Sequence, residues 1–222
     1  MLWLNLHVLK DITMTNIKYA IFDVGQVIYP YTLAPVYELM KNKTQEPHIF
    51  NNKHTPYDYD YKPYMKGEMS DTEFAKELCF FCRVEYNQDT FNEINEALHQ
   101  GCGERFAETQ KAIKILKNNN IEVCLLSNAL PILADTGKNI AKPQYTFTSY
   151  NLGLLKPDPE IYKTVKEKLG VEFNEIMFID DKEKNVMSAK NLGIHGIVYK
   201  KETIVANINS LLSQPIYNAK ER

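Results

Sequence analysis

No stretch of the chain approaches the roughly 18 consecutive apolar residues that a membrane-spanning helix needs, so no membrane partner is expected. A basic excess is missing too. The 222 residues carry 26 Lys and Arg against 28 Asp and Glu, a formal net charge of −2. That balance offers no electrostatic footprint for nucleic acid or an anionic surface. The opening segment MLWLNLHVLKDITM has an apolar stretch but no basic leader and no small-residue cleavage site, which argues against a secretory signal. Met14, just before the first strand-like run, serves equally well as a start. Cysteine is scarce, with only Cys79, Cys82, Cys102 and Cys124. They are expected to be reduced thiols of a cytoplasmic protein. Cys79 and Cys82 stand as a CxxC, but no second ligand pair accompanies them. They fall in the amphipathic segment DTEFAKELCFFCRV, so a structural role is expected. His48, His54, His99 and His195 show no metal-like spacing.

What the chain does have is apolar content, 44% of residues. That is enough for one large domain, or for a core domain with a smaller insert. Apolar runs at 17–23, 121–127, 144–149, 175–180 and 195–199 read as strands. They are continuous rather than alternating, which suits a parallel sheet covered on both faces. Helical patterns lie between them, one of them opened by a proline and closed by Gly170. The expected fold is therefore an α/β, doubly wound, Rossmann-like parallel sheet. Residues 34–103 break the rhythm, with three amphipathic helical patterns and no good strand. The expected organisation is an N-terminal extension over 1–15, a core domain from 16–33 and 104–222, and an inserted α-helical cap over 34–103.

Polar residues follow the strands. Asp23 ends the first, Ser127 and Asn128 the second, Lys156 follows the third, and Asp180, Asp181 and Asn185 follow the fourth. In a parallel sheet these ends form one edge, where ligands bind. Several carboxylates gathered there repel each other unless a hard cation holds them ionised, and Mg²⁺ suits few carboxylates plus waters and phosphate. Lysine, hydroxyl and amide donors fit phosphate oxygens. A carboxylate beside them can attack phosphorus to give an aspartyl-phosphate, its repulsion of the phosphate offset by the cation and the lysine.

The motifs FDVGQV, LLSNA, LGLLKPDPEIY and MFIDDKEKNV, in this order, resemble the haloacid dehalogenase (HAD) superfamily of Mg²⁺-dependent phosphohydrolases. The resemblance covers about residues 16–200. The insert is similar to the helical cap of that family, whose opening and closing would exclude water, with YPYTL and QGCGER as hinges. The segment MKGEMSDTEFAKELC resembles the cap of α-glucose-1-phosphate phosphatase-like members. The N-terminal phosphatase domain of soluble epoxide hydrolase is similar too. The resemblance implies that Asp23 is nucleophile and metal ligand, with the Gly25 carbonyl and Asp181 as further ligands. It implies that Asp180 stands behind them and that Asn185 orients the acidic pair or a metal-bound water. Ser127 and Asn128 would bind the transferring phosphoryl group, and Lys156 would pair with Asp23 and phosphate. The expected partner is a small phosphorylated metabolite, such as a sugar phosphate; oligomeric state is left open.

One position departs from the family pattern. Most phosphatases of the family carry an Asp two residues after the nucleophile, as general acid and base. Here that residue is Gly25. A carbonyl contact to metal survives the change, whereas acid/base help, typically worth ~10²–10⁴-fold, does not. Activated substrates such as anomeric, acyl or aryl phosphates are therefore expected. The alternative is a catalytically weak binding or regulatory protein on this fold. A metal-free dehalogenase ranks low, because those members carry an aromatic residue at the Gly25 position and lack the acidic pair. Finally, HTPYDYDYKPYM carries four tyrosines, expected mostly to anchor their loop against the cap helices rather than to face a substrate.

Overall fold

The computed structural model describes residues 16–51, 54–134 and 144–213. The expected N-terminal extension and the final NAKER segment lie outside these residues. Five strands, β1 (Tyr19–Phe22), β2 (Glu122–Ser127), β3 (Tyr145–Thr148), β4 (Ile176–Asp180) and β5 (His195–Val198), form one parallel sheet in the order β3-β2-β1-β4-β5. All five coincide with the apolar runs, trimmed by up to two residues at the ends.

Nine α-helices are described: α1 (Ala34–Lys43), α2 (Lys62–Met65), α3 (Asp71–Phe81), α4 (Gln88–Gln100), α5 (Ala107–Asn118), α6 (Ser149–Leu152), α7 (Pro159–Leu169), α8 (Glu183–Asn191) and α9 (Ile204–Leu212). Alternate residues of each strand point to opposite faces of a sheet, and both faces are apolar. Ala20, Phe22, Val123, Leu125, Met177 and Ile179 pack with Ala112 and Leu116 of α5 and Ile204 and Ile208 of α9. Ile21, Cys124, Leu126, Phe178 and Ile176 pack with Ile161 and Val165 of α7 and Val186 of α8. This double covering is why the strands read as continuous apolar runs.

Between β1 and α5 the chain builds a second core. Val36, Met40, Phe74, Leu78, Ile94 and Leu98 bury their side chains together, and Cys79 and Cys82 lie among them. Burial pushes the Cys79 thiol up to about 11 and the Cys82 thiol up to about 12. Such thiols are poor nucleophiles and poor metal ligands, in keeping with a structural CxxC. Helix α3 starts on a capping box, with Ser70 and Glu73 each satisfying the other's main chain.

The two connections to this second core run side by side. Thr32 N–H donates to Gly101 O at 3.0 Å, and Gly103 N–H donates to Pro30 O at 2.9 Å. The approach is close enough to demand glycine: a Cβ on Gly101 would lie 2.2 Å from Thr32 O, and one on Gly103 2.6 Å from Pro30 Cγ. The segments named as hinges are thus paired with each other. Tyr64 adds a further tie, since its hydroxyl donates to Asp71 at 2.6 Å and accepts from the Ile132 N–H at 3.0 Å.

Candidate active site

Strand order places the site. β1 sits where the sheet changes direction, with β2 and β3 on one side and β4 and β5 on the other. Ligands of open α/β sheets bind outside the carboxyl ends at such a switch point. Phe22 is in register with Leu125 and with Ile179. One residue further, Asp23 stands beside Leu126 and Asp180, its own N–H held by Ile179 O at 2.8 Å.

Lys156 is the centre of the cluster. Its Nζ lies 2.8 Å from Asp23 Oδ1 and 2.7 Å from Asp180 Oδ2, and donates to Leu126 O at 2.8 Å. The residue is 4% exposed and Asp180 is 0% exposed, so the contacts are screened little by solvent. Burial alone would pull the Lys156 ammonium pKa down, but the two carboxylates it touches outweigh this and hold it above the ordinary lysine value. It therefore remains charged.

Asp180 is fully engaged. Oδ1 accepts from the Lys182 N–H and from Asn185 Nδ2, both at 2.9 Å, and Oδ2 accepts from Lys156 and from Asn185 Nδ2 at 3.0 Å. Asp181 differs: its Oδ1 is buried with no hydrogen-bond partner. Burial, with Asp23 and Asp180 nearby, raises the Asp181 carboxyl pKa. Asp23 is raised as well, by burial first and by Asp180, against the opposing pull of Lys156.

Oxygens of Asp23, Asp180 and Asp181 lie within 4.8 Å of one another. One buried ammonium thus faces these acids, with the exposed Lys182 adding an attraction at Asp181, and Asp181 keeps an orphaned buried oxygen. A hard divalent cation fits that set: it supplies the missing positive charge and takes oxygen ligands. Asp23 and Asp181 are the acids with capacity left to hold it, because the oxygens of Asp180 are already bonded.

The structure brings every residue expected at this site to one sheet edge. Asp23, Gly25, Ser127, Asn128, Lys156, Asp181 and Asn185 line a single cavity of about 230 Å³, with Asp180 buried behind it. Asn128 is employed differently from expectation. Its Nδ2 donates to Lys156 O and its Oδ1 accepts from Lys156 N–H, both at 2.9 Å. The side chain thereby clamps the lysine loop, with the second N–H of its amide still available as a donor. Three further wall-forming segments escaped sequence reading. Tyr29, Tyr31 and Leu33 reach the cavity from the connection to the second core, and Leu130 and Leu133 from the segment after β2, with Tyr150 from α6. Their only sequence signal is apolar character, which does not distinguish a cavity wall from a core. Of the four tyrosines in the aromatic segment, Tyr61 lines the cavity, Tyr59 and Tyr64 pack against Phe74, and Tyr57 is exposed.

A family model for haloacid dehalogenase-like hydrolases matches residues 17–193. The chain belongs to this family. This HAD-like hydrolase is 33% identical over 100 residues to a flavin mononucleotide hydrolase of Arabidopsis thaliana, covering 44% of this chain and 41% of that protein. It is 23% identical over 192 residues to a sesquiterpene phosphatase of Aspergillus oryzae, covering 82% and 90%. A HAD family enzyme of Bacteroides thetaiotaomicron, solved as a magnesium complex, superposes with a TM-score of 0.69 at 26% identity, covering 84% and 95%. The HAD-like chain spans between 15% and 41% of the length of several curated relatives it matches. Among its described residues no helix is long and apolar enough to cross a membrane.

Replacing Lys156 by methionine keeps the length of the side chain and removes its charge. Asp23 and Asp180 are then left buried without a counter-charge. Breaking a buried pair in this way costs about 3–5 kcal/mol. Urea unfolding at neutral pH without added metal measures it. A second change, Asp180→Asn, is expected to recover part of the loss, because the two residues touch and their effects do not add.

Proposed function

We propose that this HAD-like hydrolase is a Mg²⁺-dependent phosphomonoester hydrolase that acts on a small phosphorylated metabolite through an aspartyl-phosphate on Asp23. The observation that carries the proposal is the buried Lys156–Asp23 contact at 2.8 Å, next to the orphaned Asp181 oxygen. A carboxylate in contact with an ammonium at a sheet edge is placed to attack phosphorus. Asp180 and Asn185 hold the lysine and the acidic pair in place. Ser127 presents its hydroxyl, and Asn128 its main chain, to the phosphoryl oxygens. Asp23, the Gly25 carbonyl and Asp181 would hold the Mg²⁺, whose charge would offset that of the phosphate and of the transferring group.

Two steps follow from the residues. Asp23 Oδ bonds to phosphorus as the bond to the leaving oxygen breaks, and Lys156 stabilises the charge on the group in flight. Water then cleaves the aspartyl-phosphate and restores the carboxylate. We read residues 34–103 as a cap over the cavity and 16–33 with 104–222 as the core, since Tyr61 and Met65 of the insert line the same cavity as Asp23. Gly25 favours a second reading, a catalytically weak binding protein, because no side chain at that position assists proton transfer.

The test is phosphate release from a panel of phosphometabolites with and without Mg²⁺. A metal requirement also has a readout apart from turnover. Mg²⁺ at 100 times its Kd is expected to stabilise the fold by about 2.7 kcal/mol, seen as a rise in Tm. Asp181→Asn is expected to remove most of that rise. An unchanged rise in the variant sinks the ligand assignment.

A further inference from the structure

We infer that the end of the cavity remote from Asp23 takes a single-ring aromatic leaving group, so that the substrate class is an aryl phosphate monoester; this rests on the phosphohydrolase function proposed above and narrows it. The cavity has two chemically different ends. Its charged lining residues are Asp23, Asp181, Lys156 and Lys182, all from the sheet edge. The other wall is Leu33, Tyr61, Met65, Leu130 and Leu133, which pack with the second core, and Tyr31 also lines the cavity. No charged side chain lines that wall among the described residues.

Two side-chain polar groups near that wall are bonded within the protein, while the Tyr31 hydroxyl oxygen is buried without a hydrogen-bond partner. Tyr61 OH donates to Pro56 O at 2.9 Å, and Gln26 Nε2 donates to Tyr31 O at 2.7 Å. Asn128 is closed on the Lys156 main chain. Leu33, Met65, Leu130 and Leu133 offer the leaving group only aliphatic surface, and Tyr31 offers one hydroxyl beside its ring. A polyhydroxylated ring bound against them would leave hydroxyls without partners, which is penalised. An uncharged aromatic ring suits them.

Size agrees. The cavity is about 230 Å³, against ~150 Å³ for an apolar cavity that holds benzene. One ring and a phosphoryl group fit. Chemistry agrees independently. With Gly25 in place of an acid, the leaving oxygen departs unprotonated. A phenol ionises near pH ~10, as the tyrosine side chain does, and its anion leaves far more readily than an alkoxide. Asp23 Oδ bonds to phosphorus, and the P–O(aryl) bond breaks with its electron pair going to the phenolate oxygen. The phenolate takes a proton from water, and a second water releases phosphate from Asp23.

Four substrates separate the possibilities, each assayed with Mg²⁺. Acetyl phosphate is activated and too small to reach the wall, so it reports the underlying chemistry. Its turnover by wild type and not by Asp23→Asn supports the phosphohydrolase function. If wild type does not turn it over, that function fails and the aryl assignment falls with it. Phenyl phosphate is expected to exceed glucose 1-phosphate in kcat/KM by about 10²-fold. Cyclohexyl phosphate is expected to share the KM of phenyl phosphate but to lose about 10²-fold or more in kcat. Leu133→Asn is expected to lower the phenyl-to-acetyl phosphate ratio of kcat/KM about tenfold. Glucose 1-phosphate matching phenyl phosphate, or an unchanged ratio in Leu133→Asn, overturns the aryl assignment while acetyl phosphate turnover leaves the phosphohydrolase function standing.

Discussion

Asp23→Asn is expected to lower Mg²⁺-dependent phosphate release by about 10⁴-fold or more, the scale on which loss of a member of a catalytic unit is felt. The amide has the shape of the carboxylate but no nucleophilic oxygen anion. The fold should survive the change. Asp23 sits 7% exposed in a cluster of three acids around one buried ammonium, and its pKa is raised mainly by burial. Removing one negative charge there leaves Lys156 paired with Asp180 at 2.7 Å. Circular dichroism and a melting curve check that the variant is folded, and acetyl phosphate turnover reads the chemistry. A rate within tenfold of wild type would show that Asp23 is not the nucleophile.

Gly25→Asp is expected to act in the opposite direction, and selectively. It should raise turnover of an unactivated alkyl phosphate such as glycerol 3-phosphate by about 10²–10⁴-fold. Acetyl and aryl phosphates, whose leaving groups need little protonation, should change far less. The backbone accommodates the new side chain. Gly25 is not among the glycines at positive φ, and a Cβ there would meet only Tyr31 Cβ, at an ordinary 3.8 Å. The glycine is therefore not demanded by the turn, unlike Gly101 and Gly103. Its effect is on chemistry, through the carboxyl group that is missing. Equal gains on every substrate would point to a repositioned Asp23 instead. No gain on the alkyl phosphate would mean that proton transfer is not what limits it.

The aromatic segment shows where one-dimensional reading stops. Tyr59, Tyr61 and Tyr64 stand at intervals of two or three residues in one short stretch, yet their surroundings differ. Tyr64 is fully buried and stacks on Phe74 with ring centroids 4.1 Å apart. Tyr61 turns a face to the cavity while its hydroxyl is held by Pro56. Both rings also touch Phe74 or its neighbours, so composition gives no means of telling them apart. Asn128 makes the same point on the polar side. Its position after β2 is legible, but the direction of its amide depends on a loop 28 residues away.

By itself, the sequence determined the sheet and the identity of the site's charged residues. Apolar runs buried on both faces carry their own signal, because every residue in them is apolar. Residues that end such runs are brought to one edge by the parallel topology alone, which is why Asp23, Ser127, Lys156 and Asp181 were legible together. Tertiary structure alone decided which partner each of them takes. Lys156 bridges Asp23 and Asp180, Asp180 is saturated, and Asp181 keeps a buried oxygen free of hydrogen bonds. It also decided the wall of the cavity, where Leu33, Tyr61, Met65 and Leu133 meet from three separate segments. Contacts of that kind depend on how segments far apart in the chain pack side by side, and no local pattern of residue types records it.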